Sequence, residues 1–299
     1  FQASYEYAFI GFLMLGLLIA ARYFELASST IALVTIILYR LFQRIKIFQQ
    51  CYQSFNKTVP GHFSIKNEIS KKQDIHDDWG KKRFDGVENC IEFKDASFSI
   101  DNRKILSKLN FKFEKNKINV IIGKSGSGKT TLVDLVTGLT ELEKGQIKID
   151  EFNIKDFSKS SYLNSIGYVD QNPYLFNDTI MNNIKWGSKS NISRNRIYKL
   201  TKELKIHNLI NNLPNGYNSN VGDFGNSLSG GERQRIVIVR TLINDPKILI
   251  LDEATSQLDS KSQKIVMSFL KKIKKTTTII MVTHRKETLE IADKVLEIN

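Results

Sequence analysis

The stretch Ile118-Asn119-Val120-Ile121-Ile122-Gly123-Lys124-Ser125-Gly126-Ser127-Gly128-Lys129-Thr130-Thr131 decides the fold. A short apolar run, 118–122, stops at a glycine, and residues 123–130 then match G-x-x-x-x-G-K-[ST] in full. The run reads as a strand and 130–139 as the helix that follows it. Glycines let the backbone turn so that successive N–H groups aim at one point, and a helix start adds its positive dipole end there. Such a turn is built for an anion of the phosphate type. Lys129 supplies a cation for terminal phosphates, and the Thr130 hydroxyl is suited to Mg²⁺. A glycine-rich turn that holds nothing is the alternative, and the strand–loop–helix context argues against it. The candidate ligand-binding set is Gly123, Lys124, Ser125, Gly126, Ser127, Gly128, Lys129, Thr130 and Thr131.

Outward from this loop, strand-like and helix-like segments alternate. Residues 91–93, 97–100, 111–113, 146–149 and 248–251 read as short strands, 237–243 lies within a helix, and 276–282 is β-branched. Alternation of this kind predicts an α/β core with a largely parallel sheet. Ile248-Leu249-Ile250-Leu251 leads directly into Asp252-Glu253. A buried strand delivers its last side chains to the sheet edge where ligands bind. Asp252 there suits Mg²⁺, and Glu253 suits a base that polarises water, a role worth ~10²–10⁴-fold in rate.

The first fifty or so residues differ in character. YAFIGFLMLGLLIAA (7–21) and a second run over 26–39 carry no charge, and Arg22 and Glu25 lie between them. Each run is shorter than the ~20 residues of an untilted membrane helix. Two buried core helices are one reading; a membrane hairpin is the reading favoured here. Arg40, Arg44 and Lys46 would place its far end in the cytoplasm. Residues 41–55 continue that helix outward, Pro60-Gly61 is expected to break it, and the polar stretch 62–89 reads as a linker. His76-Asp77-Asp78 reads as a solvated turn of that linker, since no second ligand cluster at metal spacing lies nearby.

The chain has 299 residues, 41% hydrophobic and 25% charged, with a net charge of +13. Those fractions exclude a wholly disordered chain, and the charge suits an anionic partner. Cys51 and Cys90, far apart, argue against a disulfide scaffold and place the soluble part in a reducing compartment.

Leu228-Ser229-Gly230-Gly231-Glu232-Arg233-Gln234-Arg235 resembles the signature motif of ATP-binding cassette (ABC) proteins, and it lies just upstream of the Asp252-Glu253 strand. Ser229 and Glu232 form an S-x-x-E capping box. The resemblance covers about 91–299. It implies a P-loop NTPase cassette: a mixed parallel core sheet, an antiparallel β subdomain and a helical subdomain, preceded here by two membrane helices. The implied boundaries are 1–60 for the end of a transmembrane domain, 61–88 for a linker and 89–299 for the nucleotide-binding domain.

The resemblance also implies ATP and Mg²⁺ as cofactors. Gln171, in VDQNPYLF, is similar to the loop glutamine that senses Mg²⁺, and His284 to the switch histidine. Implied catalytic residues are Glu253, His284, Gln171 and Lys129; implied Mg²⁺ ligands are Thr130, Gln171 and Asp252. Ser229, Gly230, Gly231 and Glu232 would reach the ATP of a partner chain, so that two chains sandwich two ATPs. Ser256-Gln257-Leu258-Asp259 is similar to the dimer-contacting loop, with Gln257 where alanine is usual. Val221-Gly222-Asp223-Phe224-Gly225 resembles a short loop of exporter-type cassettes. The implied function is the ATP-hydrolysing subunit of an exporter or flippase, with a lipid or lipid-linked saccharide as the preferred substrate class. A regulatory or non-transport ABC ATPase is the alternative. The partner is a second half-transporter, a homodimer favoured over a heterodimer, in contact with membrane lipid and not with nucleic acid. The location is the inner or plasma membrane, multi-pass, with the cassette on the cytoplasmic side.

Two departures stand out. Ile100 occupies the usual position of an aromatic that stacks on adenine, and Phe98 is expected to face away from it. The chain also stops soon after His284, where cassettes commonly carry another strand and helices; either it is minimal or its C-terminus is cut.

Overall fold

Tertiary contacts divide the chain into two units, Phe1–Asp77 and Asp78–Asn299. The computed structural model describes residues 11–12, 14–16, 18–19, 22–23, 27–73, 79–100, 103–124, 126–188, 192–256 and 258–298. Ser125, Gln257, the His76-Asp77-Asp78 turn and much of the run 7–21 lie outside them.

In the first unit, α1 spans Ser28–Gln73, 46 residues. It passes straight through Pro60-Gly61, where the sequence predicts a break. Proline removes one N–H and crowds the carbonyl four residues back, which disrupts one turn. A helix this long keeps its ladder on both sides of that gap. The helix leaves Leu33, Ile36, Ile37, Leu41 and Phe48 exposed. No helix among the described residues is long and apolar enough to cross a membrane. Arg40, Arg44 and Lys46 end the apolar part of α1 early, and most of the first expected membrane run, 7–21, lies outside the described residues.

The second unit holds two sheets. β1 (Cys90–Ile100), β2 (Arg103–Glu114), β4 (Lys144–Ile149) and β5 (Phe152–Asn153) form an antiparallel sheet in the order β2-β1-β4-β5. The first two predicted strands are thus one. The other sheet contains β3 (Ile118–Gly123), β6 (Ile166–Val169), β7 (Ile248–Asp252), β8 (Thr278–Val282) and β9 (Lys294–Ile298), ordered β6-β7-β8-β3-β9 and parallel at every pairing. β9 follows His284 and pairs with β3, so the strand thought missing at this end is present. It escapes sequence reading because KVLEI mixes charge with apolar residues on a sheet edge.

The helices of this unit are α2 (Lys129–Thr137), α3 (Lys159–Leu163), α4 (Ile180–Lys185), α5 (Arg194–Glu203), α6 (His207–Asn211), α7 (Gly230–Leu242), α8 (Ser260–Ile273) and α9 (Lys286–Leu289). β7 and β8 are buried at every residue. Burial on both faces explains their unbroken apolar runs, since a strand with one wet face would alternate. Ile248, Ile250, Ile280 and Val282 pack with Leu132, Val133, Phe93 and Phe113 on one face. Leu249, Leu251, Ile279 and Met281 pack with the helical layer, including Ile184, Ile197, Ile238 and Val266, on the other. Of the stretch read as linker, Phe84 and Val87 belong to the first of these cores.

On a regular strand, residues two apart share a face, so alternation alone would keep Phe98 beside Ile100. Register shifts between Phe93 and Ser99 break that alternation. Phe98 packs against the core, while Ile100 stays 47% exposed.

Candidate functional site

Strand register brings the sequence-predicted residues to one sheet edge. Asp252 pairs with Val282, and Val282 with Ile121. Adjacent strands lie ~4.8 Å apart, so three strand ends stand in a row. Gly123 lies two residues beyond that row on β3, Glu253 one beyond on β7, and His284 two beyond on β8.

The phosphate loop begins where β3 stops. Gly126 and Gly128 have φ of +77° and +96°, a left-handed conformation that only glycine takes without strain. At Gly128 a Cβ would also come within 2.4 Å of Ile105 Cγ2. Gly128 caps α2 without a side chain, so the first N–H groups of the helix find no side-chain acceptor. Lys129 is buried, and its Nζ donates to the carbonyls of Gly123 at 3.0 Å and Lys124 at 2.8 Å. Ser127 Oγ is buried with no hydrogen-bond partner among the described residues. An ammonium, uncapped helix amides and a partnerless buried hydroxyl in one turn fit a polyphosphate. Thr130 is exposed at the start of α2, and Thr131 is half-buried behind it.

Across the edge, Gln171 Nε2 donates to Glu253 Oε2 at 3.0 Å, and His284 Nδ1 lies 3.6 Å from Glu253 Oε1. Two residues from separate loops thus meet at the carboxylate of a third. Glu253 itself has φ +46°, and its N–H donates to Val282 O at 3.0 Å. Asp252 is 8% exposed. Burial raises its pKa above the usual carboxylate range; a hydrogen bond from Tyr168 opposes this, and the Glu253 carboxylate adds to it. Tyr168 pairs with Ile250, two residues before Asp252, so its ring runs along the same face. Its hydroxyl donates to Asp252 Oδ2 at 3.2 Å, and burial with the adjacent carboxylate raises the phenol's pKa, keeping it a donor. Sequence reading missed Tyr168 because nothing local marks a tyrosine three residues before a glutamine. Asp252, Thr130 and Gln171 offer carboxylate, hydroxyl and amide oxygens, a hard donor set that fits Mg²⁺. Among the described residues no cluster of three or more His, Cys, Asp or Glu could hold a metal ion.

Ser229 caps α7: its side chain accepts from Glu232 N, and Glu232 Oε2 accepts from Ser229 N at 2.8 Å. This is the predicted capping box. Gly230 and Gly231 open the helix. Among the described residues no hydrogen bond or ion pair joins 229–232 to 123–131; the signature turn packs instead on the start of α8. A Cβ at Gly231 would lie 2.7 Å from Ser262 Oγ and 3.4 Å from Asp259 Oδ1. Buried Arg235 donates to Ser262 Oγ. Asp223, in the exporter-like loop, accepts from Asn177 Nδ2 at 2.6 Å, and neighbouring Phe224 has φ +54° and is 64% exposed.

Known proteins resemble this chain in sequence and fold. The chain is 40% identical over 246 residues to multidrug resistance protein 1 of Entamoeba histolytica, covering 80% of this chain and 19% of that protein. It is 39% identical over 223 residues to the ATP-dependent lipid A-core flippase of Pasteurella multocida, covering 74% of this chain and 38% of that one. The chain therefore spans less than half the length of these curated relatives. A solved structure of a bacterial Atm1-family ABC exporter with ATP bound superposes with a TM-score of 0.71 at 30% identity, over 90% of this chain and 47% of that one. The family model for the ABC transporter matches residues 106–256, half of the chain, and on that match the protein belongs to the ABC transporter family.

Proposed function

We propose that this chain is the ATP-binding and ATP-hydrolysing part of an ABC exporter or flippase, working as a dimer. The observation that carries the reading is the Glu253 carboxylate, held between Gln171 and His284 on the edge that also bears the phosphate loop. Lys129 and the first amides of α2 hold the phosphates and offset their charge. Glu253 takes the proton of the attacking water. His284 orients that carboxylate and faces the terminal phosphate. Gln171 fixes the other carboxylate oxygen and reports on the ion. Thr130, Gln171 and Asp252 would hold Mg²⁺, which when bound supplies charge neutralisation at the phosphates. Catalysis of this type is mostly positioning and electrostatics.

The signature turn serves a second chain. Ser229, Gly230, Gly231 and Glu232 lie away from this chain's own phosphate loop, as a sandwich of two ATPs between two half-transporters requires. Intact motifs favour a homodimer. The exposed apolar side chains of α1 support a membrane-associated N-terminal part, in a multi-pass protein of the inner or plasma membrane with its cassette in the cytoplasm. A lipid or lipid-linked saccharide is the proposed cargo, supported by relatives named lipid A-core flippase.

The test uses the full protein in proteoliposomes, with a fluorescent phospholipid whose leaflet is read by dithionite quenching. The reading expects ATP-dependent lipid movement that Lys129→Ala abolishes. ATP turnover without lipid movement would remove the lipid cargo, and absence of ATP turnover would remove the enzyme.

A further inference from the structure

Arg285 directly follows His284, and its side chain reaches the stretch of chain that follows Glu253. Its Nη1 donates to Leu258 O at 3.3 Å and to Gln263 Oε1 at 3.1 Å, and its Nη2 donates to Ser256 O. One guanidinium thus grips two backbone carbonyls and one amide oxygen, all from the segment that leaves Glu253 and enters α8. Its own backbone is fixed: Arg285 N donates to Thr283 Oγ1 at 3.1 Å, and Thr283 is buried. Ser256 N donates to Glu253 O at 2.9 Å and Leu258 N to Thr255 O at 3.3 Å. Ser256 Oγ and Gln263 Nε2 are buried without partners among the described residues.

The far end of the same segment is held from the other side. Asp259 caps α8 by accepting from Lys261 N and Ser262 N. Ser262 Oγ accepts from Arg235 of the signature helix and sits under Gly231. Covalent and hydrogen-bonded links therefore run from His284 through Arg285, Leu258 and Ser262 to the signature turn.

We propose that Arg285 is a positioning residue that clamps Ser256, Leu258 and Gln263 to the strand end bearing His284, and so couples this chain's hydrolytic carboxylate to its own signature turn. The inference rests on the dimeric reading above, in which that turn completes the partner's site; the clamp then links the two sites of one dimer. Arginine suits the role where lysine would not, because a planar fork holds several fixed acceptors and an ammonium is a point charge.

The test compares wild type, Arg285→Ala and Arg285→Lys in the full protein in nanodiscs. Binding of ATP with Mg²⁺ to the Glu253→Gln background should stay within about twofold. Turnover should fall at least tenfold in both variants with KM for ATP little changed, and the Hill coefficient should drop toward 1. Hydrogen exchange of residues 255–262 should speed at least tenfold, while β3 and α2 keep their protection. Wild-type exchange in 255–262 would overturn the clamp, whatever the activity. Faster exchange with unchanged turnover and Hill coefficient would overturn the coupling. A wild type that neither binds nor hydrolyses ATP would instead refute the functional reading, leaving the exchange result to judge the clamp alone.

Discussion

Replacing Gly231 by alanine sets two effects of opposite sign against each other. Gly231 is the second residue of α7, and alanine there would gain about 0.5–1 kcal/mol of helix stability from propensity alone. The new Cβ, however, would lie 2.7 Å from Ser262 Oγ and 3.3 Å from Ser262 Cβ. Ser262 is buried and cannot yield to solvent; rotating its hydroxyl away breaks the bond from Arg235. Arg235 is only 5% exposed, its Nε already lacks a partner, and burial lowers its pKa. A hydrogen bond to a charged group contributes about 1.5–3 kcal/mol. The net expectation is a loss of about 1–2 kcal/mol, read as a lower urea midpoint at unchanged slope for the cassette transition. ATP affinity of the phosphate loop should not move, since among the described residues no hydrogen bond or ion pair joins that loop to the signature turn. A Gly231→Ala protein as stable as wild type, or more stable, would refute the packing argument and leave propensity in command.

Further expectations follow from other contacts. Asp293 accepts from Ile118 N at 2.8 Å and from Lys274 Nζ at 2.7 Å. Burial pushes its pKa up, but that amide and the Lys274 ammonium outweigh it and the net shift is downward. A depressed carboxylate stabilises above its unfolded pKa of ~3.9 and loses that contribution as pH falls through the folded value. Asp293→Asn should cost about 1.5–3 kcal/mol at neutral pH, and the urea midpoints of wild type and variant should draw together as pH falls below ~3.9. Ile100 is exposed where an aromatic is usual, and base–aromatic stacking contributes ~1–3 kcal/mol. Ile100→Tyr should therefore tighten ATP by roughly 5- to 150-fold in equilibrium binding, and an unchanged Kd would place the base elsewhere.

What the sequence shows and what it hides divide along physical lines. The phosphate loop, the Ile248–Asp252 strand and the signature capping box were legible because each is a local pattern whose geometry follows from its own residues. The core sheet was legible because strands buried on both faces are apolar throughout. Strand β9 and the course of α1 through Pro60 were not. An edge strand shows no clean period, and a proline penalty at one turn competes with dozens of helical residues. Phe98 and Ile100 part company through bulges that no alternation rule contains. The convergence of Gln171 and His284 on Glu253 spans more than a hundred residues of chain and appears only when strand register is known. Tyr168, Arg235 and Arg285 act through long-range bonds, which no spacing reveals.

The central claim is that Glu253 is the hydrolytic base of an ATP site closed by two chains. Its most direct test measures ATP bound and ATP turned over by the Glu253→Gln protein beside wild type, in the full protein with Mg²⁺. The account predicts ATP retained at wild-type affinity or tighter and turnover down by ~10²–10⁴-fold. Turnover at the wild-type rate would contradict it.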